Sequence, residues 1–172
     1  VTDAETGATI TLVADTKLDS VLNIDKNVTI ELGGHTVTAA AVTTTRLSND
    51  GCYAGIIVKG AADVKFRNGT LTSAYTTYKD GTTDANYSSY VLLVDDTAEL
   101  TLDKVTVTGQ NAGDSYVRAS GGICYDSTGS LSVLNSTVTA GASTGKGYNY
   151  NNPDAIFTVS GSAGSVAIDN ST

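Results

Sequence analysis

The chain has no methionine, no tryptophan, one proline, one histidine and two cysteines among 172 residues. Each shortage excludes something. Two cysteines, Cys52 and Cys124, allow one disulfide at most, so this is no cystine-stapled scaffold. His35 alone cannot build a zinc site with two distant cysteines at any standard spacing. No run of about 18 apolar residues occurs, so no bilayer-spanning helix is expected. Charged residues make up 16% of the chain and the formal net charge is -8. That balance repels nucleic acid and anionic membranes, which makes both poor partners. Phosphate-loop and dinucleotide fingerprints are missing too, and no cofactor is expected. A chain without methionine is expected to have lost a leader or to be a segment of a longer protein.

What is present is mostly Thr, Ser, Gly, Ala and Val. Thr and Val favour strands, because a branched Cβ fits a pleated surface. The length suits one domain, residues 1–172, with a real core. A surface rich in Thr, Ser and Asn points to an exported, extracellular protein.

The chain repeats itself. Val28-Thr29-Ile30, Val64-Lys65-Phe66, Leu100-Thr101-Leu102, Leu131-Ser132-Val133 and Val166-Ala167-Ile168 each read apolar-polar-apolar. Both apolar side chains of such a strand share one face. The starts at 28, 64, 100, 131 and 166 lie 36, 36, 31 and 35 residues apart. Four of these lead into a second strand: His35-Thr36-Val37-Thr38, Thr70-Leu71-Thr72, Val105-Thr106-Val107-Thr108 and Thr137-Val138-Thr139. A third strand precedes each later repeat, aligned on Ile56, Leu92, Ile123 and Ile156. Leu18 to Ile24 is its counterpart in the first.

Between the first two strands sits a corner. Asn68, Asn135 and Asn170 occupy it, with Lys104 in one repeat and Gly33-Gly34 in the first. Asn and Gly tolerate the left-handed backbone that a sharp bend needs. Stacked Asn side chains can bond to one another along the axis. A sandwich of hairpins would repeat every 8–12 residues, and a leucine-rich horseshoe would need helices and a Leu consensus. Neither pattern is present. The predicted fold is all-β: a right-handed parallel β-helix of about five coils, with its long loops on one side.

The stretch Val28-Thr29-Ile30-Glu31-Leu32-Gly33-Gly34-His35-Thr36-Val37-Thr38 resembles the opening coil of pectate-lyase-like β-helix repeats in bacterial surface and adhesin proteins. The lead-in from Thr9 to Asp19 has the same pattern. The resemblance covers most of the chain as coil-type repeats and is specific over residues 9–39. It implies a fold and a surface location and little chemistry.

Polysaccharide lyases and hydrolases share that fold, so their chemistry needs testing. Lyases of this kind use Arg or Lys beside Asp-bound calcium, yet only Arg46, Arg67 and Arg118 occur. Asp95-Asp96 could mimic the paired carboxylates of a glycosidase; as a solvated strand end it would do nothing. His35 lies in the corner of the best-matched repeat, where a structural role is expected. Asp50, Asp80, Asp84 and Asp114 lie in loops without any calcium-loop spacing.

Most of the Tyr also fall in the long loops: Tyr75, Tyr78, Tyr87, Tyr116, Tyr148 and Tyr150. With Asp80, Asp84, Asn149 and Asn151 they should form one patch. Such a patch suits a protein interface, a glycan, or loops packed onto the body. Among the Asn-x-Ser/Thr matches, Asn86 is the candidate for glycosylation. Aligned Cα atoms two coils apart exceed disulfide reach. Cys52 lies in a loop, however, and an exported chain favours a bridge to Cys124.

The ends complete the expectation. Val1 to Ala8 is too short and polar to make a good cap, and Val166 to Thr172 stops inside a repeat strand. Open strand edges invite pairing. The functional expectation is therefore a non-catalytic structural subunit of a fibre or adhesin stalk. Its partners would be copies of itself or the rest of a longer surface protein. A carbohydrate-binding adhesin module is the alternative, and a polysaccharide lyase or hydrolase the lesser one.

Overall fold

The structure is a computed structural model describing residues 1, 3–40, 53–73, 89–110, 120–142, 154–159 and 162–172, with Tyr53 and Ser89 described in their backbone alone. The described residues form strands and turns, with no helix among them. Each ladder between described strands is parallel.

The strands make two sheets. The first runs β1 (Ala8–Thr11), β4 (Val28–Glu31), β7 (Asp63–Ser73), β9 (Glu99–Thr108), β11 (Ser130–Leu134), β14 (Ser165–Asp169). Shorter strands extend it past the corner: β2 (Thr16–Lys17), β5 (Thr36–Ala39) and β12 (Thr137–Thr139). The second sheet runs β3 (Leu22–Ile24), β6 (Tyr53–Val58), β8 (Ser89–Asp96), β10 (Ser120–Ser127), β13 (Ile156–Thr158). The chain therefore alternates between the sheets, adding one or two strands to the first and one to the second in turn.

The spacing of the repeats becomes the register. Val28 pairs with Val64, Val64 with Leu100, Leu100 with Leu131 and Leu131 with Val166. In the second sheet Leu22, Ile56, Leu92, Ile123 and Ile156 pair in the same way. A one-residue slip would turn every apolar side chain outward, so the alternating pattern pins the register. The repeats appear in five strands of the first sheet; β1 adds another, with Ala8 opposite Val28. The first pass from β1 to β4 is short and carries no long loop, which hides it from a search at the longer period.

The corner forms where the sequence places it. Asn68, Lys104, Asn135 and Asn170 have φ of 55°, 56°, 49° and 47°, and Gly33 and Gly34 have 60° and 85°. Its backbone groups find partners across the rungs. Ser136 Oγ accepts the Val105 N–H at 3.0 Å, and Ser171 Oγ accepts the Ser136 N–H at 3.0 Å. Asn170 donates to Asn135 Oδ1 at 2.8 Å, the stacked-Asn bond the sequence anticipates. Asn68 donates instead to both Glu31 carboxylate oxygens, at 3.0 and 2.9 Å, and Asn135 to Asp103 at 3.4 Å. Gly69 must be Gly, since a Cβ there would collide with Leu32 and the His35 carbonyl.

The two sheets differ in burial for a sequence reason. Strands of the first alternate, and one face is solvated. Strands of the second carry near-continuous apolar runs, Gly55-Ile56-Ile57-Val58 and Val91-Leu92-Leu93-Val94, the pattern of a parallel strand buried on both faces. Ile56, Leu92 and Ile123 point into the main core with Phe66, Leu71 and Leu102. Ile57, Leu93 and Cys124 join a second cluster with Ala54 and Tyr90 on the other face. Tyr125 is fully buried and donates to the Gly129 carbonyl at 2.8 Å.

Lys104 and Leu102 offer paired tests of corner and core. Lys104→Asn keeps the left-handed turn and relieves its strain, so it is expected to raise unfolding free energy by about 0.5–1 kcal/mol. Leu102→Ala is expected to cost about 2–5 kcal/mol through its cavity. Urea unfolding measures both; a lower midpoint for Lys104→Asn contradicts the corner assignment.

Candidate functional site

The clearest grouping of ionisable side chains lies where strands of the second sheet end. Residues three past Ile56, Leu92 and Ile123 are Lys59, Asp95 and Asp126. Asp95 and Asp126 are in register on neighbouring strands. Asp95 and Asp126 are the next-to-last residues of β8 and β10, and Lys59 directly follows β6, so a column of charge follows from the repeat itself.

Asp95 and Asp96 do not act as a pair. Adjacent residues on a strand point to opposite faces, and Asp96 turns into the left-handed region at φ 58°. Its Oδ2 accepts the Gly60 N–H at 3.0 Å, and its carbonyl accepts the Thr128 N–H at 2.9 Å. The Asp96 N–H bonds Asp95 Oδ1 at 2.9 Å. Asp96 is thus tied into strands on both sides and serves the turn. The like charge in register with Asp95 is Asp126, which accepts a hydrogen bond from Ser162 Oγ at 3.4 Å.

Half-burial pushes the Asp95 carboxyl above its ordinary range. The Asp96 N–H works against this by stabilising the anion, the charges of Asp96 and Asp126 add to the rise, and Lys59 lowers it. Among the described residues, no group of three or more His, Cys, Asp or Glu could hold a metal ion.

The other candidates fall in different places. His35 Nδ1 lies 3.4 Å from Asp15 Oδ1, and that carboxylate also accepts the Thr36 N–H at 2.9 Å. The His35 carbonyl accepts the Thr70 N–H at 3.0 Å. His35 therefore closes the first corner. Arg67 is exposed, in register between Glu31 and Asp103 on the outward face. Cys124 is buried in β10, in register with Leu93. Cys52, Asn86, Arg46, Arg118, Asp50, Asp80, Asp84, Asp114, Asn149 and Asn151 lie outside the described residues. So do Tyr75, Tyr78, Tyr87, Tyr116, Tyr148 and Tyr150, the proposed loop patch. The Lys59–Asp95–Asp126 column was open to sequence reading: the alignment that finds the strands also finds it.

Comparison with protein-family models, with curated proteins and with solved structures found no match to this chain.

Asp95 gives a pH prediction. Its folded-state pKa lies above the unfolded value, so its contribution is most favourable below the carboxylate range and is lost as pH rises through the folded value. Asp95→Asn is expected to raise the melting temperature at pH 7, with the gain shrinking toward pH 3. A melting temperature at pH 7 below that of the unsubstituted protein contradicts the assignment.

Proposed function

We propose that this chain is a right-handed parallel β-helix that works as a non-catalytic structural module of an extracellular fibre or adhesin stalk, adding rungs end to end with copies of itself. One observation carries the reading: β14 is an exposed strand whose inward side chains are apolar. Val166 and Ile168 stand in register with Leu131 and Val133, which are fully buried. Yet Val166 is 39% exposed and Ile168 59%. A rung stacked on β14 would bury both and pair the backbone edge that no described strand covers, as in strand addition.

The opposite end is complementary. There Val1 and Ala4 pack against the core. The Ala4 N–H bonds the Val1 carbonyl at 3.1 Å, and Lys26 Nζ bonds the Ala4 carbonyl at 3.1 Å. So the polar opening segment does more capping than its sequence promised. Ala8 and Ile10 of β1 nonetheless stay half-exposed, in register with Val28 and Ile30. A β14 laid on another copy's β1 would continue the same apolar columns from one molecule into the next. Such a head-to-tail contact does not close and generates a filament. The Thr-, Ser- and Asn-rich composition and the resemblance to surface-protein coils support a location outside the cell.

Sedimentation and electron microscopy over a concentration series test this. End-to-end oligomers are expected to lengthen with concentration. Val166→Lys with Ile168→Lys should abolish them while circular dichroism stays unchanged. Monodisperse monomers of the unsubstituted protein at high concentration would sink self-association.

A further inference from the structure

Past the corner, the first sheet carries an array that its structural role does not require. Thr36, Thr70, Thr106 and Thr137 stand opposite one another in one column. Thr38, Thr72, Thr108 and Thr139 make a second column two residues along. Thr172 lengthens the first, with its hydroxyl 3.2 Å from that of Thr137. None of these side chains is buried, while Val37, Leu71, Val107 and Val138 between the columns are all buried. Neither column contains an aromatic residue, and the exposed Lys17 stands opposite Thr38 at the β2 end of the second. We propose that this face binds ice, its ligand being the ordered surface of crystalline water.

The dimensions carry the inference. Neighbouring parallel strands are about 4.8 Å apart and alternate residues about 6.6 Å apart, so the hydroxyls form a near-rectangular net. Water bonded tetrahedrally at O···O of about 2.75 Å has second neighbours about 4.5 Å apart, and the layers of hexagonal ice repeat at about 7.3 Å. Both spacings agree to about a tenth, and across three strand spacings the offset grows to about 1 Å. A periodic array of hydroxyls, uncharged from β5 to β12, fits a periodic, uncharged ligand. A protein partner would call for aromatic or Arg anchors, and a sugar site for stacking rings; the columns hold neither.

The chemistry is suited as well. Threonine is stiff at χ1, so little freedom is lost when its surface is held against a lattice. Thr72 Oγ1 donates to the Thr108 carbonyl at 3.0 Å and Thr139 Oγ1 to the Val107 carbonyl at 3.4 Å, which fixes those side chains further. Each hydroxyl keeps acceptor capacity for water, and each methyl sits beside it and limits competing arrangements.

The test is ice-affinity partitioning of the whole chain, with inhibition of ice recrystallisation as the second readout. The unsubstituted protein is expected to enter the ice fraction and keep crystals small. Thr70→Lys with Thr106→Lys should remove most of both effects with an unchanged circular dichroism spectrum. Thr101→Lys, on the outward face before the corner, should leave both intact. Exclusion of the unsubstituted protein from ice, or equal activity in the array variant, overturns the proposal. So does binding to microcrystalline chitin or cellulose without binding to ice.

Discussion

Much in this molecule depends on one left-handed backbone corner repeated in the first sheet from β4 onward. A parallel strand can stack on the next only if the chain leaves the first sheet, crosses, and returns in register. The bend between the two halves of a first-sheet rung therefore has to be sharp, and from β4 onward it is left-handed. Asn68, Asn135 and Asn170 supply it with a left-handed residue, and the glycines at 33 and 34 supply it in an earlier rung. Ser136 and Ser171 then bond the backbone groups that a bend would otherwise leave unpaired. Lys104 shows that the geometry is imposed by its neighbours, since a lysine has no preference for φ near 56°.

With the corner fixed, packing follows. Inward columns such as Ile30, Phe66, Leu102 and Val133 run the length of the core, so each side chain is buried chiefly by the rungs beside it. Stability in such a stack is roughly a sum of nearest-neighbour contacts. The same repetition multiplies whatever faces outward. It brings Asp95 beside Asp126 at the end of one sheet, against the cost of half-burial, and lines up threonines on the other.

Much of the strand order was legible because the alternation of Val28-Thr29-Ile30 and its successors fixes side-chain face and register together. The corner was legible because few residues accept positive φ. The short first pass was not: β1 returns to β4 without a long loop, so no equal period announces it. Chemistry was less legible than fold. Asp95 and Asp96 look like a pair in the sequence, but neighbours on a strand diverge, and Asp96 is spent on the Gly60 amide. A second like charge, Asp126, is adjacent through the sheet alone. The loop tyrosines, the largest group of candidates read from the sequence, lie outside the described residues.

The ends of the stack are where nearest-neighbour support runs out. β14 has β11 on one side and exposed Val166 and Ile168 on the other. Amide hydrogen exchange, read strand by strand, tests this most directly. In dilute solution β14 should exchange orders of magnitude faster than β9. Its protection should rise toward that of β9 as the protein is concentrated. Equal protection of β14 and β9 at every concentration would contradict the account.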